Sequence, residues 1–268
     1  MSFENICRHK LANGDCLEVM KQIPDGSIDM ILCDLPYGTT ACKWDTVIPF
    51  EDLWEQYRRV TKPNAAIVLT AAQPFTTALI ASNMNEFAYC WVWDKRFAAN
   101  FVQAKRMPLR VHEDVAVFCK SGKTPAYYPQ MIARDVPIKK GGNKPSAAIP
   151  IRQTEAAREF GESGKTYDEK YPETVIEFNC RDGRGLHPTQ KPLALMEYMI
   201  RTYTKEYDTV LDNCMGSGTT GVACANTNRN FIGVEKELQY YEIAKNRILE
   251  AEYALIDAAQ EPLQGALL

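Results

Sequence analysis

Two short stretches of this chain combine reactive side chains with residues that end a β-strand. In the first, Asp34 and Tyr37 follow the apolar run Ile28–Cys33, which is typical of a buried strand in a parallel sheet. Pro36 and Gly38 end a strand and turn the chain. The pattern predicts a carboxylate and an aromatic ring at the carboxyl end of a central strand, where open α/β sheets bind ligands. A strand followed by a plain proline turn is the alternative.

The second stretch is rich in glycine and lies far downstream. An apolar strand is predicted at Thr209–Asp212, Gly216 and Gly218 follow, and Glu235 ends the next predicted strand. Glycines at such a turn let a ligand approach the backbone closely, and an acid after the second strand suits ribose hydroxyls. A nicotinamide dinucleotide site is disfavoured, because Gly221 falls one place too early for the Gly-X-Gly-X-X-Gly spacing.

Strands alternating with helices must position both stretches. This alternation predicts an α/β fold whose mostly parallel sheet is covered by helices on both faces. The predicted strands are 28–33, 65–70, 89–94, 114–119, 209–212 and 230–235, and the longer predicted helices are 49–62, 193–203 and 240–256.

Residues 121–185 break this pattern. They contain many Gly, Pro, Lys, Tyr and Ser residues without a sustained period, and the segment is too long for an ordinary loop in a compact domain. It is therefore predicted to be an inserted region between two halves of one domain, residues 1–120 and 186–268.

The composition excludes several classes of protein. With 46% hydrophobic and 24% charged residues among 268, the chain has the make-up of a folded globular protein. No apolar run is long enough to span a bilayer, and Met1–Asp15 lacks the apolar core of a signal peptide, so a cytoplasmic location is predicted. Nine scattered cysteines without a Cys-X-X-Cys pair, together with three histidines, predict reduced thiols and no metal site.

Charge is concentrated in one part of the chain. The net charge is −3, yet residues 95–144 hold eleven Lys and Arg against three acidic residues, a local net charge of +8. A basic segment on an acidic body fits a surface that faces phosphates, and a solvated basic face is the plainer alternative.

Three segments together resemble the motifs of the beta group of DNA amino-methyltransferases, which methylate adenine N6 or cytosine N4. Residues 34–37 resemble the catalytic motif, residues 212–220 the cofactor motif, and residues 187–192 the segment that precedes the cofactor motif. The order of the motifs also matches this permuted group, with a target-recognition region between them. The resemblance spans nearly the whole chain, with 121–185 its least matched part, and implies a Rossmann-like methyltransferase fold, S-adenosylmethionine as cofactor and double-stranded DNA as substrate.

The resemblance also assigns roles around the methylated base. Asp34 and the backbone carbonyl of Leu35 would accept hydrogen bonds from the exocyclic amino group, and Pro36 would fix the direction of that carbonyl. Tyr37 would stack on the base, which must be flipped out of the duplex to reach the site.

Further positions are predicted to contact cofactor and DNA. Asp15 would meet the adenine of the cofactor, although capping of a helix is an equal alternative. The other predicted cofactor contacts are Asp212, Gly216, Ser217, Gly218 and Thr219 for the methionine part, Glu235 for the ribose, and Lys191 and His187 for the carboxylate. The predicted phosphate contacts are Lys95, Arg96, Lys105, Arg106, Arg110, Lys139, Lys140 and Lys144.

The resemblance leaves the methylated base and the partners open. Asp34 favours adenine N6, since many cytosine enzymes of this group carry serine there, and Leu35 departs from the commoner proline. Methylation of cytosine N4 is the main alternative, followed by an RNA methyltransferase or an inactive DNA-binding relative. A homodimer and a cognate restriction enzyme are further partners consistent with the family.

Overall fold

The computed structural model describes residues 2–39, 42, 45–120, 123–139, 166–180 and 190–264. These residues form two compact units, Met1–Tyr128 with Thr174–Leu268, and Pro129–Glu173. His187, Lys140 and Lys144 lie outside the described residues, so their predicted roles stay predictions.

The first unit is built on a nine-stranded sheet, which confirms the predicted α/β architecture. The strands are β1 (Glu4–Ile6), β2 (His9–Asn13), β3 (Ile28–Asp34), β4 (Thr61–Ala71), β5 (Phe87–Ala99), β6 (Arg110–Phe118), β9 (Val175–Glu177), β10 (Thr209–Asp212) and β11 (Asn230–Glu235). They lie in the order β1-β2-β11-β10-β3-β4-β6-β5-β9. Five adjacent pairs are parallel, including the central run from β2 to β4.

Helices cover both faces of this sheet because its central strands are apolar on both sides. In β3, Met30 and Leu32 pack into one hydrophobic cluster, and Ile31 and Cys33 pack into the opposite one. Such two-sided burial is typical of parallel strands. The helices are α1 (Cys16–Met20), α2 (Phe50–Val60), α3 (Phe75–Ser82), α4 (Leu193–Tyr203), α5 (Thr219–Asn226) and α6 (Leu238–Gln264).

One edge of the sheet departs from the parallel arrangement. β6 runs antiparallel to both of its neighbours, β4 and β5. The segment between β5 and β6 carries only a short 3₁₀ turn, Phe101–Gln103, and a connection without a crossover helix joins antiparallel strands. The amino-terminal part of β6 consequently lies at the carboxyl edge of the parallel strands.

The described part of the second unit contains an antiparallel pair of strands, β7 (Ile132–Lys139) and β8 (Thr166–Lys170). Both strands lie within the segment predicted to be an insertion. Most side chains of β7 are exposed, so this strand lacks the alternating burial that makes a strand visible in a sequence. Lys139 is its last residue.

None of the helices in the described ranges is long and apolar enough to cross a membrane.

Candidate active site

A cavity of about 600 Å³ lies at the carboxyl edge of the sheet and joins the two predicted stretches. β3 pairs directly with β10, and β10 with β11, so the three strands end side by side. The cavity is lined by Asp34 and Tyr37 from the first stretch and by Asp212, Gly216 and Glu235 from the second. Its volume is within the range of sites for small molecules.

Asp34 ends β3 with a carboxylate that three side chains hold. Its Oδ1 accepts hydrogen bonds from the Tyr37 hydroxyl at 2.7 Å and from Thr70 Oγ1 at 2.5 Å. Its Oδ2 accepts from Lys191 Nζ at 2.7 Å. Because an ionised carboxylate offers about four acceptor positions, this arrangement leaves room for roughly one more donor from the cavity.

Lys191 belongs to a chain of alternating charges. Its Nζ lies 3.6 Å from Glu113 Oε2, and Lys95 Nζ donates to Glu113 Oε1 at 3.1 Å. Burial alone would lower the pKa of Lys191, but Asp34 and Glu113 outweigh it and raise this pKa. Burial likewise would raise the pKa of Glu113, but Lys191 and Lys95 outweigh it and lower this pKa. Both groups are therefore charged at neutral pH.

Glu113 is the main acidic residue of the cavity that the sequence did not indicate. It lies near the start of β6, and its neighbour Asp114 pairs with Ala71 of β4. The antiparallel direction of β6 brings these positions to the carboxyl edge of the parallel strands. If residues 87–118 had been recognised as a hairpin, the acids that precede the apolar half of β6 would have been predicted to lie at the site.

The Tyr37 ring is fixed by packing and by the loop that follows it. The ring stacks on Phe75 with centroids 5.0 Å apart and planes inclined by 23°. The amides of Gly38 and Thr39 donate to the two carboxylate oxygens of Asp45, at 2.8 and 2.9 Å. Leu35 is buried, and Pro36 lines the cavity beside it. Stacking of Tyr37 on a flipped base stays a prediction.

Glu235 organises the glycine-rich half of the cavity. Its Oε2 accepts a hydrogen bond from the Gly216 amide and its Oε1 from the Glu237 amide, both at 2.8 Å. Burial raises the pKa of Glu235. Asp212 accepts from the Cys214 amide at 3.1 Å, and its burial raises its pKa to about 6.

Gly218 has a packing role that differs from the expected one. A Cβ at this position would lie 2.7 Å from Ala244 Cβ of α6, and its φ of +79° suits glycine. The absent side chain therefore makes room for a helix, and the predicted cofactor contact of Gly218 stays a prediction. Gly218 also precedes α5 without a side chain that could cap it, so the first amides of α5 suit an anion.

Three other predicted cofactor contacts have protein partners. Asp15 caps α1, accepting from the Leu17 amide at 3.0 Å, and it also lines the cavity. The side chains of Ser217 and Thr219 accept hydrogen bonds from Arg247 Nη1 at 3.1 and 3.4 Å. Arg247 lies on α6, thirty residues away from Ser217, and no local motif indicates it. The cofactor contacts of this half stay predictions.

The predicted phosphate contacts fall into separate groups. Lys95 is only 13% exposed and pairs with Glu113, which places it within the cavity wall rather than on an open basic face. Arg96 pairs with Glu177 at 2.8 Å. Lys105, Arg106 and Arg110 are exposed, and Arg110 also lines the cavity.

The acidic and sulfur side chains of the described residues form no cluster suited to a cation. Within the part of the chain that the structure describes, no group of three His, Cys, Asp or Glu side chains could hold a metal ion.

Known proteins share both the sequence pattern and the fold of this chain. A sequence model of the N6/N4 methyltransferase family, described as DNA methylase, matches residues 28–246. The Type II methyltransferase M.HpaI of Haemophilus parainfluenzae is 27% identical, over 95% of this chain and 78% of that protein.

Two solved structures have the same architecture. The M1.HpyAVI–SAM complex superposes with a TM-score of 0.59 and 25% identity, covering 89% of this chain and 98% of that one. The cytosine-N4-specific PvuII DNA methyltransferase superposes with a TM-score of 0.64 and 15% identity, covering 96% and 94%. The latter likeness concerns the fold alone, and it agrees with the Rossmann-like sheet described above.

Proposed function

The chain belongs to the N6/N4 family of DNA methylases, and we propose that it methylates the N6 amino group of adenine in double-stranded DNA. The observation that carries the proposal is Asp34, a carboxylate held at the end of β3 in a cavity shared with Gly216 and Glu235. In the family resemblance, an acid at this position favours adenine.

The glycine-rich half of the cavity fits S-adenosylmethionine, which supplies an electrophilic methyl group when bound. Glu235 offers carboxylate oxygens at a strand end, where ribose hydroxyls can donate to them. The uncapped amino end of α5 suits the carboxylate of an amino acid. Asp15 and Asp212 line the same cavity and can accept from the adenine and ammonium groups of the cofactor.

Asp34 would act on the amino group of the target base. The nitrogen lone pair is delocalised into the ring, and acceptors for its N–H groups favour the tetrahedral geometry needed for attack. As the nitrogen gains the methyl group it becomes positively charged before losing a proton. Because Lys191, Tyr37 and Thr70 fix its two oxygens, the carboxylate is preorganised to stabilise that charge.

Lys191 receives a second role in this proposal. The sequence assigned it to the carboxylate of the cofactor, whereas its Nζ contacts Asp34 at 2.7 Å. We assign it to positioning: together with Tyr37 and Thr70 it fixes the Asp34 carboxylate, and Glu113 and Lys95 hold Lys191 in turn.

Mass spectrometry of nucleosides tests the identity of the methylated base. The protein would be expressed in a host lacking DNA methylation, and digested host DNA would be compared with DNA from cells expressing Asp34→Ala. N6-methyladenine that depends on Asp34 is expected. N4-methylcytosine instead would keep the fold and site but overturn the assignment of adenine, and methylated RNA with unmodified DNA would overturn the assignment of DNA.

Other partners of the protein remain predictions from the family resemblance. A second copy of the chain is tested by light scattering of the purified protein. A cognate restriction enzyme is tested by challenging host DNA, with and without methylation, with the proteins encoded beside this one.

A further inference from the structure

The loop between β5 and β6, residues 100–109, presents apolar side chains to solvent, and its two most exposed ones are adjacent. Phe101 is 65% exposed and Val102 is fully exposed, on the 3₁₀ turn Phe101–Gln103. We propose that this turn enters the DNA duplex beside the target base and fills the space that the flipped-out base leaves. The inference rests on the proposed function, because it requires a base that leaves the duplex.

The loop is held in one conformation by hydrogen bonds at its base. Asn100 adopts the left-handed conformation, with φ of +58°, and its Oδ1 accepts from the Arg110 amide at 2.8 Å. The amides of Gln103 and Met107 donate to the carbonyls of Asn100 and Gln103, respectively. A preordered tip loses little conformational freedom on insertion, which favours binding.

The hairpin that carries the loop also forms a wall of the active-site cavity. Arg110 follows the loop directly and lines the cavity, as do His112 and Glu113 further along β6. On the preceding strand, Trp93 and Lys95 line it as well. One pair of strands thus connects the apolar turn to the Asp34 site. Such a connection is needed if the turn is to replace the base in the duplex while the base occupies the site.

The charge of the loop and of the strand ends beside it fits a nucleic acid duplex as the partner. From Lys95 to Val111 the sequence has five basic residues and no acidic one. Three of the basic side chains, Lys105, Arg106 and Arg110, are exposed and can contact phosphates on either side of an inserted turn. Apolar side chains inserted between base steps and flanked by cations are a recurrent means of opening a duplex.

The test compares duplexes that differ only in the cost of extruding the target base. Both contain the sequence that the wild-type protein methylates in host DNA, and one has an abasic site opposite the target. The double variant Phe101→Ala/Val102→Ala is compared with Tyr253→Ala, which removes a 57% exposed ring from α6. Cofactor affinity of each variant reports on the integrity of the fold.

We expect the double variant to lose about tenfold or more in kcat/KM on the paired duplex, because extrusion then lacks its replacement contact. On the duplex with the abasic site it should stay within about twofold of wild type, since the target base is already unpaired. Tyr253→Ala should match wild type on both.

Two results would overturn the inference: equal losses on both duplexes, or no loss on the paired one. Lys105→Ala/Arg106→Ala provides the contrast, because removing phosphate-binding cations should weaken binding to both duplexes alike. A wild-type protein that methylates neither duplex would count against the proposed function, a result distinct from these.

Discussion

The charges around Asp34 decide what this carboxylate can do. Lys191 donates to one of its oxygens, and Tyr37 and Thr70 donate to the other, so the remaining acceptor position suits a donor such as an amino group. Lys191 itself is buried between Asp34 and Glu113. Asp34, Lys191, Glu113 and Lys95 therefore form one chain of alternating charges. Removal of any one of them leaves a neighbouring charge without its counter-charge.

Replacement of Lys191 separates its two assigned roles. Lys191→Met should lower the rate of methyl transfer by roughly 10²-fold, the usual cost of losing one preorganised donor. Cofactor affinity should stay within a few fold if Lys191 positions Asp34. A large loss of cofactor affinity would instead support a contact between Lys191 and the carboxylate of the cofactor. Lys95→Met is the matched comparison: it removes a partner of Glu113 but keeps the contact of Lys191 with Asp34, so it should lower the transfer rate less than Lys191→Met.

Asp212 should make stability depend on pH. Its pKa is about 6 in the folded protein, against an ordinary value of 3.8, so the folded state holds the proton more tightly than the unfolded state between these values. The contribution of Asp212 to stability therefore falls as pH rises from about 4 to 6. Asp212→Asn removes this dependence. The difference in free energy of unfolding, variant minus wild type, should therefore increase by about 1–3 kcal/mol between pH 4 and pH 6. Urea unfolding of both proteins at several pH values measures this difference. A difference that does not change with pH would refute the raised pKa of Asp212.

The β5–β6 hairpin explains most of what the sequence could not predict about the site. The ends of β3, β10 and β11 follow from apolar runs, which is why Asp34 and Glu235 were found at one edge. The strands 89–94 and 114–119 were also predicted, but their antiparallel pairing depends on tertiary contacts that no local pattern encodes. Glu113 was missed for this reason.

Other misses arise from side chains that meet over long distances. The contacts of Arg247 with Ser217 and Thr219 join α6 to the glycine-rich turn, and periodicity within either segment does not reveal them. The capping role of Asp15 was a local alternative and is confirmed by its hydrogen bond to the Leu17 amide.

The packing of α6 against the glycine-rich turn makes Gly218 sensitive to substitution. Gly218→Ala would place Cβ 2.7 Å from Ala244 Cβ at a φ of +79°, and we expect a loss of about 2–4 kcal/mol from overpacking and backbone strain together. Gly26→Ala is the control, because Gly26 has φ of +60° and nothing within 4 Å of the added atom. Urea unfolding of both variants isolates the packing contribution, and equal losses would contradict it.

Ligand binding should stabilise the whole protein by mass action. S-adenosylmethionine at about 100 times its Kd would stabilise the folded state by about 2.7 kcal/mol, visible as a rise in Tm. Glu235→Gln should raise the Kd about tenfold or more, since a hydrogen bond to a charged group contributes roughly 1.5–3 kcal/mol. The rise in Tm at the same concentration should shrink accordingly. Glu18 is an exposed acid on α1, and Glu18→Gln should leave the ligand-induced rise in Tm unchanged. The same rise in Glu235→Gln as in wild type would refute the ribose contact.

The uneven charge of the chain should be visible in its DNA binding. The overall charge is −3, yet the basic residues cluster between 95 and 144. Deletion of residues 139–144 should lower DNA affinity and flatten its dependence on salt, by about 0.9 in the logarithmic slope for each phosphate that is no longer neutralised. Titration at several salt concentrations measures the slope, and an identical slope would remove this segment from the interface.

Methyl transfer by Asp34→Asn, measured with cofactor affinity in the same preparation, tests the central claim most directly. The variant keeps the size of the side chain but loses its charge, so transfer to DNA should fall by at least about 10²-fold. The Kd for S-adenosylmethionine should stay within a few fold. Near-normal transfer by Asp34→Asn, or loss of cofactor binding together with transfer, would contradict the claim that this carboxylate acts on the amino group of the base.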